Sequence, residues 1–434
     1  MTRSQLRRVA IAFALVLGAA NVYFYNYAVF LALNHPGSDI RFNLYGDPQI
    51  EGDAKLKREP TTGKYDLLVN DYYLQHIYAS TIAAFRPQYV VTMGDMFSSQ
   101  RTNKEEYYKR IDRFKWISHQ VDANMAPISG SHAYLYLAGN HDIGYGGETR
   151  AYQVNRYTNN FGPLNHDWMV DFHNASQSSN GLHQFAIINA MHLDKTRDEQ
   201  FRNATWQFLQ QLATQRSQHP EIPLALFLHI PLNKPAGICT THPKTNYTDG
   251  FVKYQDYLSP ATSAYILHCL APTLVFNGHD HDGCLSAHKI RRTASHPVAL
   301  GDSGNTLQIS DDLCRMNFTE IDTYQAEVEA FGEATLSAVA GSDLTSTADN
   351  LVAEVTVRSA MGAYGGVTGI FDISRDDSSA GSHMRALGRE FTLRTEHGYR
   401  YQYREVRLGD HLIIRILLVA NILGAIAVPA ALLF

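Results

Sequence analysis

Gly139-Asn140-His141-Asp142 is the stretch from which the rest of the chain can be read. It follows the run Tyr134 to Ala138, short and apolar enough for a buried strand, and it sets an amide, an imidazole and a carboxylate directly after the strand ends. The same arrangement recurs on both sides. Upstream, Ile40 to Tyr45 leads into Gly46-Asp47-Pro48-Gln49, and Gln88 to Met93 leads into Gly94-Asp95. Downstream, Ala225 to His229 runs into His229-Ile230-Pro231, and Leu274 to Asn277 leads into Gly278-His279-Asp280-His281. A single histidine after a strand is ordinarily a core or surface residue. Polar clusters repeated at the ends of strand-like runs predict one site along the carboxyl edge of a sheet. Glycine comes just before a ligand candidate at Gly46, Gly94, Gly139 and Gly278, which predicts tight turns that aim the following side chains out of the sheet. Carboxylate, amide and imidazole donors, with no thiolate among them, suit Mn²⁺, Zn²⁺ or Fe.

Between these runs lie Asp71 to Phe85, Glu105 to Asp122 and Gln200 to Gln215, whose apolar residues recur at spacings of three and four and predict helices. With Phe185 to Asn189 as a further strand, the pattern predicts an α/β (α+β) body. Stretches rich in small and polar residues near 330–350 and 373–385 read as loop insertions. The chain has 434 residues, 45% of them hydrophobic, and 37 basic against 42 acidic side chains give a charge of −5. That balance excludes a wholly disordered chain and a basic nucleic-acid binder. Four cysteines, Cys239, Cys269, Cys284 and Cys314, show no CxxC spacing, so a structural zinc site is not expected. In an oxidising compartment they allow two disulfides in any of three pairings, with a buried thiol as the other reading of Cys269.

The ends bear on the compartment. Val9 to Leu33 carries no charged side chain over 25 residues and follows Arg3, Arg7 and Arg8. As a helix it would cover ~37 Å, enough for a hydrocarbon layer of roughly 30 Å, with a cleaved signal peptide as the rival reading. Residues 412–434 predict a second span, Arg415 preceding the uncharged Ile416 to Phe434; a buried apolar tail is its alternative. Two spans with a basic cytosolic start, residues 1–8, put residues 35–410 across the bilayer. Sequons at Asn174, Asn203, Asn246 and Asn317 agree with a lumenal or extracellular face.

Taken together, the motifs resemble the calcineurin-like metallophosphoesterase superfamily, whose pattern is D-x-H, GD, GNH[DE], H and GHxH. The resemblance covers about residues 40–300. It implies two packed β-sheets flanked by helices, with two divalent metal ions at the strand ends. By motif, Asp47, Gln49, Asp95 and His281 would hold one ion, and Asp95, Asn140, His229 and His279 the other. His141 would stand beside the scissile phosphate and Asp142 would orient its ring, a helix cap being the other reading of Asp142. One position departs from the pattern: where the family has histidine this chain has Gln49, whose amide is a weaker ligand than imidazole and favours a harder ion such as Mn²⁺.

Gly46-Asp47-Pro48-Gln49-Ile50-Glu51-Gly52-Asp53 and Arg358-Ser359-Ala360-Met361-Gly362-Ala363-Tyr364-Gly365-Gly366 are similar to a membrane-anchored eukaryotic branch of that superfamily. The branch implies a catalytic domain in the lumen of the endoplasmic reticulum, the Golgi being the alternative. It also implies removal of ethanolamine phosphate from a mannose of the glycosylphosphatidylinositol (GPI) glycan, the second mannose by the Ile50-Glu51-Gly52-Asp53 continuation. The implied partners are a GPI glycolipid or GPI-anchored protein, the lipid bilayer and a cargo receptor. Asp53, Asp194, Asp280, Asp282 and Tyr364 are the candidates for meeting the substrate ammonium. The competing functions are a phosphoesterase of the same fold acting on the first mannose or another phosphorylated substrate, and a non-catalytic membrane cargo adaptor.

Overall fold

The apolar runs become strands whose ends lie within a few residues of those predicted. The computed structural model describes residues 2–33, 35–119, 133–172, 181–289, 314, 330–332, 351–376, 383–387, 389–395, 398–408 and 411–433. Two apolar helices, α1 (Arg3–Tyr25) and α2 (Tyr27–Leu33), come first. They are followed by β1 (Ile40–Tyr45), α3 (Asp53–Arg58), α4 (Gly63–Phe85), β2 (Tyr89–Thr92), α5 (Lys104–Ser118), β3 (Ala133–Tyr136), α6 (Asn140–Ile143) and α7 (Ala151–Phe161). Next come β4 (His166–Asp171), β5 (Leu182–Ile188), α8 (Glu199–Gln218), β6 (Leu224–Leu228), the hairpin β7 (Thr245–Thr248) and β8 (Phe251–Gln255), α9 (Pro260–Tyr265) and β9 (Leu274–Asn277). The chain continues through β10 (Cys284–Lys289), β11 (Ala330–Gly332), β12 (Leu351–Thr356), β13 (Val367–Arg375), β14 (His383–Leu387), β15 (Glu390–Arg394), β16 (Tyr399–Arg407) and α10 (His411–Leu433). Helix starts follow local chemistry: Asn103 accepts the Glu106 amide at 2.9 Å to open α5, and Asp198 accepts the amides of Gln200 and Phe201 to open α8.

Among the described residues two seven-stranded sheets result, ordered β14-β15-β16-β13-β1-β2-β3 and β11-β10-β12-β9-β6-β5-β4. β1, β2 and β3 run parallel, as do β5, β6, β9 and β12, so each sheet presents a set of carboxyl ends. The sheets face each other across an apolar layer that includes Phe42, Val91, Phe185, Phe227, Phe276, Phe371 and Tyr403. Phe42 is its centre: its ring lies 4.6 Å from Tyr89, 5.1 Å from Phe185 and 5.4 Å from Phe371. Truncating such a side chain costs about 3–5 kcal/mol, so the layer fixes the distance between the two sets of strand ends. A second core under the helices joins Tyr78, Phe97, Phe114 and Trp206 to the other sheet faces.

Several expectations change. The N-terminal span is not one helix over residues 9–33. It starts at Arg3, capped by Thr2, and stops at Tyr25, where the Asn26 side chain donates to the Val22 carbonyl at 2.8 Å before α2 begins. Among the described residues α1 alone is long and apolar enough to cross a membrane; α10 offers the shorter apolar run Ile416–Ala431 and contains Pro429. The 373–385 insertion is not all loop, because β13 reaches Arg375 and β14 starts at His383. Of 330–350, residues 330–332 form β11 and the rest lies outside the described residues. Both disulfides form, Cys239–Cys284 and Cys269–Cys314, so Cys269 is not a thiol. Asn246 is exposed on β7, whereas Asn203 sits within α8 with a buried amide oxygen, a poor acceptor site; Asn174 and Asn317 lie outside the described residues.

Candidate metal centre

The carboxyl ends of β1, β2, β3, β6 and β9 converge, and each delivers the polar group predicted for it. Asp47, Gln49, Asp95 and His279 adopt left-handed backbone conformations, with φ of 36°, 37°, 49° and 71°. Such angles are strained for residues with a Cβ and persist where the surroundings over-determine them. The strain is therefore carried largely by the ligand candidates themselves. Of the preceding glycines, Gly139 is needed for space and Gly94 for both space and backbone conformation. A Cβ on Gly94, whose own φ is 97°, would stand 2.4 Å from His229 Nδ1, and one on Gly139 would stand 2.1 Å from Asp95 Oδ1.

Asp95 lies at the centre. Its Oδ1 accepts the His141 amide at 2.7 Å and is 3.5 Å from His229 Nε2; its Oδ2 accepts from Gln49 Nε2 at 3.1 Å and is 3.9 Å from His141 Nε2. Its two oxygens thus face different groups. Asp47 Oδ2 accepts the His279 amide at 2.9 Å, while Asp47 Oδ1 lies 4.0 Å from both His229 Nε2 and His281 Nε2. That Oδ1 is buried and makes no hydrogen bond. His229 directs Nδ1 at the Met93 carbonyl, 2.8 Å away, leaving Nε2 beside Asn140 Oδ1 at 3.2 Å. His279 donates from Nε2 to the Gln255 carbonyl at 2.9 Å, leaving the lone pair of Nδ1 to face the cluster as a metal ligand. His281 Nδ1 meets the Tyr364 hydroxyl at 3.2 Å and its Nε2 lies 3.0 Å from Gln49 Nε2.

The electrostatics call for a cation. Burial disfavours charge on His229, yet Asp95 and Asp47 outweigh it and hold its pKa at about 9. Burial drives His279 the other way, to about 3, helped by the neighbouring His229 cation. Burial also raises Asp47 well above the carboxylate range, while Asp95 falls below its usual value because the surrounding histidines overcome its desolvation. A buried orphan carboxylate oxygen, imidazoles whose other nitrogen is already engaged, and Asp95, His229 and His279 offering ligand atoms within 4.8 Å of one another fit a divalent metal.

His141 stands at the mouth with about a third of its side chain exposed, and its partner is not Asp142. Asp142 is buried and accepts the backbone amides of Gly139 at 2.9 Å and Met96 at 3.1 Å, tying the turn after β3 to the loop after β2. Burial and the nearby Asp95 raise its pKa to about 8. The ring of His141 is met instead by Gln100, whose Nε2 lies 3.3 Å from His141 Nδ1. No sequence signal points to Gln100, which sits in irregular chain after β2. Around this centre a cavity of about 350 Å³ is walled by Tyr145, Tyr254, Tyr257 and Tyr364 and by Asp256, Asp280 and Asp282. Of the predicted ammonium partners, Asp280, Asp282 and Tyr364 line it. Asp53 pairs with Arg110 at 3.1 Å in a separate cavity, and Asp194 is buried as acceptor for Ser259 and Thr262. His242 is exposed, and His288 is buried against Glu354.

Behind the centre lies a charged group that motif reading does not reach. Glu354 on β12 accepts from the Leu232 amide at 2.8 Å, Asn277 Nδ2 at 2.7 Å, Lys234 Nζ at 2.6 Å and Ser286 Oγ at 3.2 Å, with His288 Nε2 at 2.5 Å. It thereby stitches together the strand ends that carry His229 and His279.

No family model matches the chain. An uncharacterized protein of Schizosaccharomyces pombe is 32% identical over 305 residues, 60% of this chain and 66% of that protein. Protein TED1 of Saccharomyces cerevisiae is 26% identical over 59% of this chain and 67% of its own length; Metallophosphoesterase 1 of Rattus norvegicus is 23% identical over 51% and 57%. The chain thus spans between about half and two thirds of the curated relatives it matches. Among solved structures, a dimetal phosphatase from Danio rerio is 10% identical over 86% of this chain and 100% of its own, with a TM-score of 0.43. The motifs, the two-sheet frame and the sequence relatives agree, and the chain belongs to the calcineurin-like metallophosphoesterases.

Proposed function

We propose that this protein is a phosphodiesterase that removes ethanolamine phosphate from a mannose of the GPI glycan, with the second mannose as its position. The observation that carries the reading is Asp95, whose two buried oxygens face the His229 side and the Gln49 side of one cluster. Asp47, Gln49, Asp95 and His281 would hold one divalent ion and Asp95, Asn140, His229 and His279 a second, with Mn²⁺ the ion best matched to an amide ligand at Gln49. When bound, such ions supply Lewis-acid neutralisation of the phosphate oxygens and an activated water.

The chain's own groups do the rest. His141 holds a proton at Nε2 facing the cavity, with Gln100 at its other nitrogen, and delivers it to the mannose oxygen as the ester bond breaks. Water oxygen forms the new bond to phosphorus, the phosphorus–mannose oxygen bond breaks, and phosphoethanolamine leaves with a free mannose hydroxyl behind. Tyr254, Tyr257 and Tyr364 together with Asp256, Asp280 and Asp282 offer ring faces and carboxylates suited to the ethanolamine ammonium.

Helix α1 supports a membrane-anchored protein, and exposed Asn246 is compatible with a lumenal domain in the endoplasmic reticulum. The full chain, incubated with a defined GPI glycan carrying phosphoethanolamine on the first or the second mannose, is expected to release it from the second in a metal-dependent way, and His141→Ala to abolish release. Release from the first mannose alone would move the assignment to that position. Metal bound with no release from either would send the search to another phosphodiester, and absence of metal binding would favour a cargo adaptor.

A further inference from the structure

Helix α4 is apolar on two sides. One side, with Leu74, Ile77, Tyr78 and Phe85, is buried in the domain. On the other side Tyr65, Leu68, Val69 and Tyr72 follow one another at i, i+3, i+4 and i+7, the spacing of a single helix face, and are 60%, 54%, 66% and 58% exposed. A soluble surface does not need four large apolar residues in a row, and a contiguous patch of this kind marks an interaction site. Trp116 on α5, itself exposed, meets Tyr72 edge to face at 5.1 Å and widens the patch.

What covers it is indicated by where the face leads. One turn beyond Tyr72 the same face carries His76, and the ring of Tyr25, the last residue of α1, packs on His76 at 4.6 Å. Helix α2, which follows at once, also packs along α4. The side of α4 that receives the apolar N-terminal helix therefore continues, uncovered, for two more turns. Its composition suits the headgroup boundary: tyrosine and tryptophan favour that zone, and Lys64, stretched over the Tyr65 ring at 4.9 Å, can reach lipid phosphates.

We infer that the Tyr65–Tyr72 face of α4 lies in the surface of the bilayer that α1 enters, so that the domain sits on the membrane in one orientation. The inference rests on reading α1 as a membrane anchor. It bears on the site because the opposite side of α4 supports the cavity rim: a Cβ on Gly366 would stand 2.2 Å from Tyr73 Oη and 2.7 Å from Ile77 Cδ1, and Gly366 is two residues from Tyr364. Seating α4 in the headgroups brings that rim to the membrane, where a lipid-linked phosphodiester would be held.

The described cysteines are all paired, so an introduced cysteine is a unique label site among them. The full chain is reconstituted in phosphatidylcholine vesicles with a nitroxide at Val69→Cys, at Leu68→Cys as a second probe of the same face, at Leu15→Cys within α1, and at Asp249→Cys on the exposed turn between β7 and β8. Collision of the label with dissolved oxygen and with an aqueous nickel chelate is compared. Labels at positions 69 and 68 are expected to favour oxygen at a depth of about 5–10 Å, position 15 more deeply, and position 249 to favour the aqueous quencher. Positions 69 and 68 matching 249 while 15 remains in lipid would overturn the inference and leave the anchor standing. An aqueous signal at 15 as well would overturn the anchor and the inference together.

Discussion

The two halves of the proposed metal centre are matched in number of candidate ligands and unmatched in burial and chemistry. The His229 side chain is fully buried and clamped to the Met93 carbonyl, His279 is clamped to the Gln255 carbonyl, and Glu354 pins the strand ends behind them. On the other side His281 is 24% exposed, its outer nitrogen meets a tyrosine hydroxyl at the cavity mouth, and Gln49 supplies an amide. A ligand whose remote nitrogen is fixed and dry loses less entropy on binding metal than one on the rim. On the proposed two-ion assignment, the difference makes the His229 half the one to keep its ion and the Gln49 half the one to exchange it or let substrate approach.

The largest effect is expected where the halves meet. Asp95→Ala removes the carboxylate that faces both, so both ions and about three orders of magnitude of activity should be lost together, roughly 4 kcal/mol of transition-state stabilisation. Metal content by mass spectrometry after gel filtration checks this, and one ion retained at full occupancy would break the idea of a shared ligand.

Next is the pinning of the buried half. Glu354→Gln leaves Lys234 buried beside a neutral partner and should cost about 3–5 kcal/mol in chemical denaturation. The native pair has a pH signature. Burial opposes the Glu354 charge, but Lys234 and His288 outweigh it and draw its pKa down to about 2 from 4.5, so its stabilisation is present above 4.5 and is lost as pH falls through 2. The variant should lack that loss.

A smaller effect separates the halves by titration. His229, held at about 9 in the metal-free protein, carries a proton at neutral pH that an ion must displace. Affinity at the buried half should therefore rise by up to about tenfold per pH unit and level off near pH 9. His281, pushed below its usual value by burial, brings no such proton, and the pH response of its half comes instead from Asp47, whose carboxyl burial raises well above the carboxylate range. Calorimetry in buffers of different ionisation enthalpy counts the protons released at each step. The smallest change comes from Gln49→His, which should tighten the rim half by about tenfold, near 1.4 kcal/mol, and leave the buried half alone.

The sequence was most informative where polar groups sit at the ends of apolar strands. The strands leading to Asp47, Asp95, Asn140, His229 and His279 form close to where they were expected, because continuous apolar runs of that length have few other uses. The C-terminal half of the first sheet was not legible in this way. Tyr399–Arg407 alternates Tyr399, Tyr401 and Tyr403 facing inward with arginine and glutamine facing out, and its charge content hides a strand of period two. Asp142 shows the limit at the site itself. Its place after His141 suggests a partner for the ring, and only three-dimensional packing reveals that the carboxylate turns to two backbone amides while Gln100, forty-one positions earlier, reaches the imidazole.

The most direct test of the account is a calorimetric titration of the purified full chain with Mn²⁺ at pH 7.5. The account predicts two binding events per chain, a tight one that disappears in His229→Ala and a weaker one that Gln49→His strengthens. A single event, or two that respond equally to both substitutions, would contradict the unequal two-ion centre.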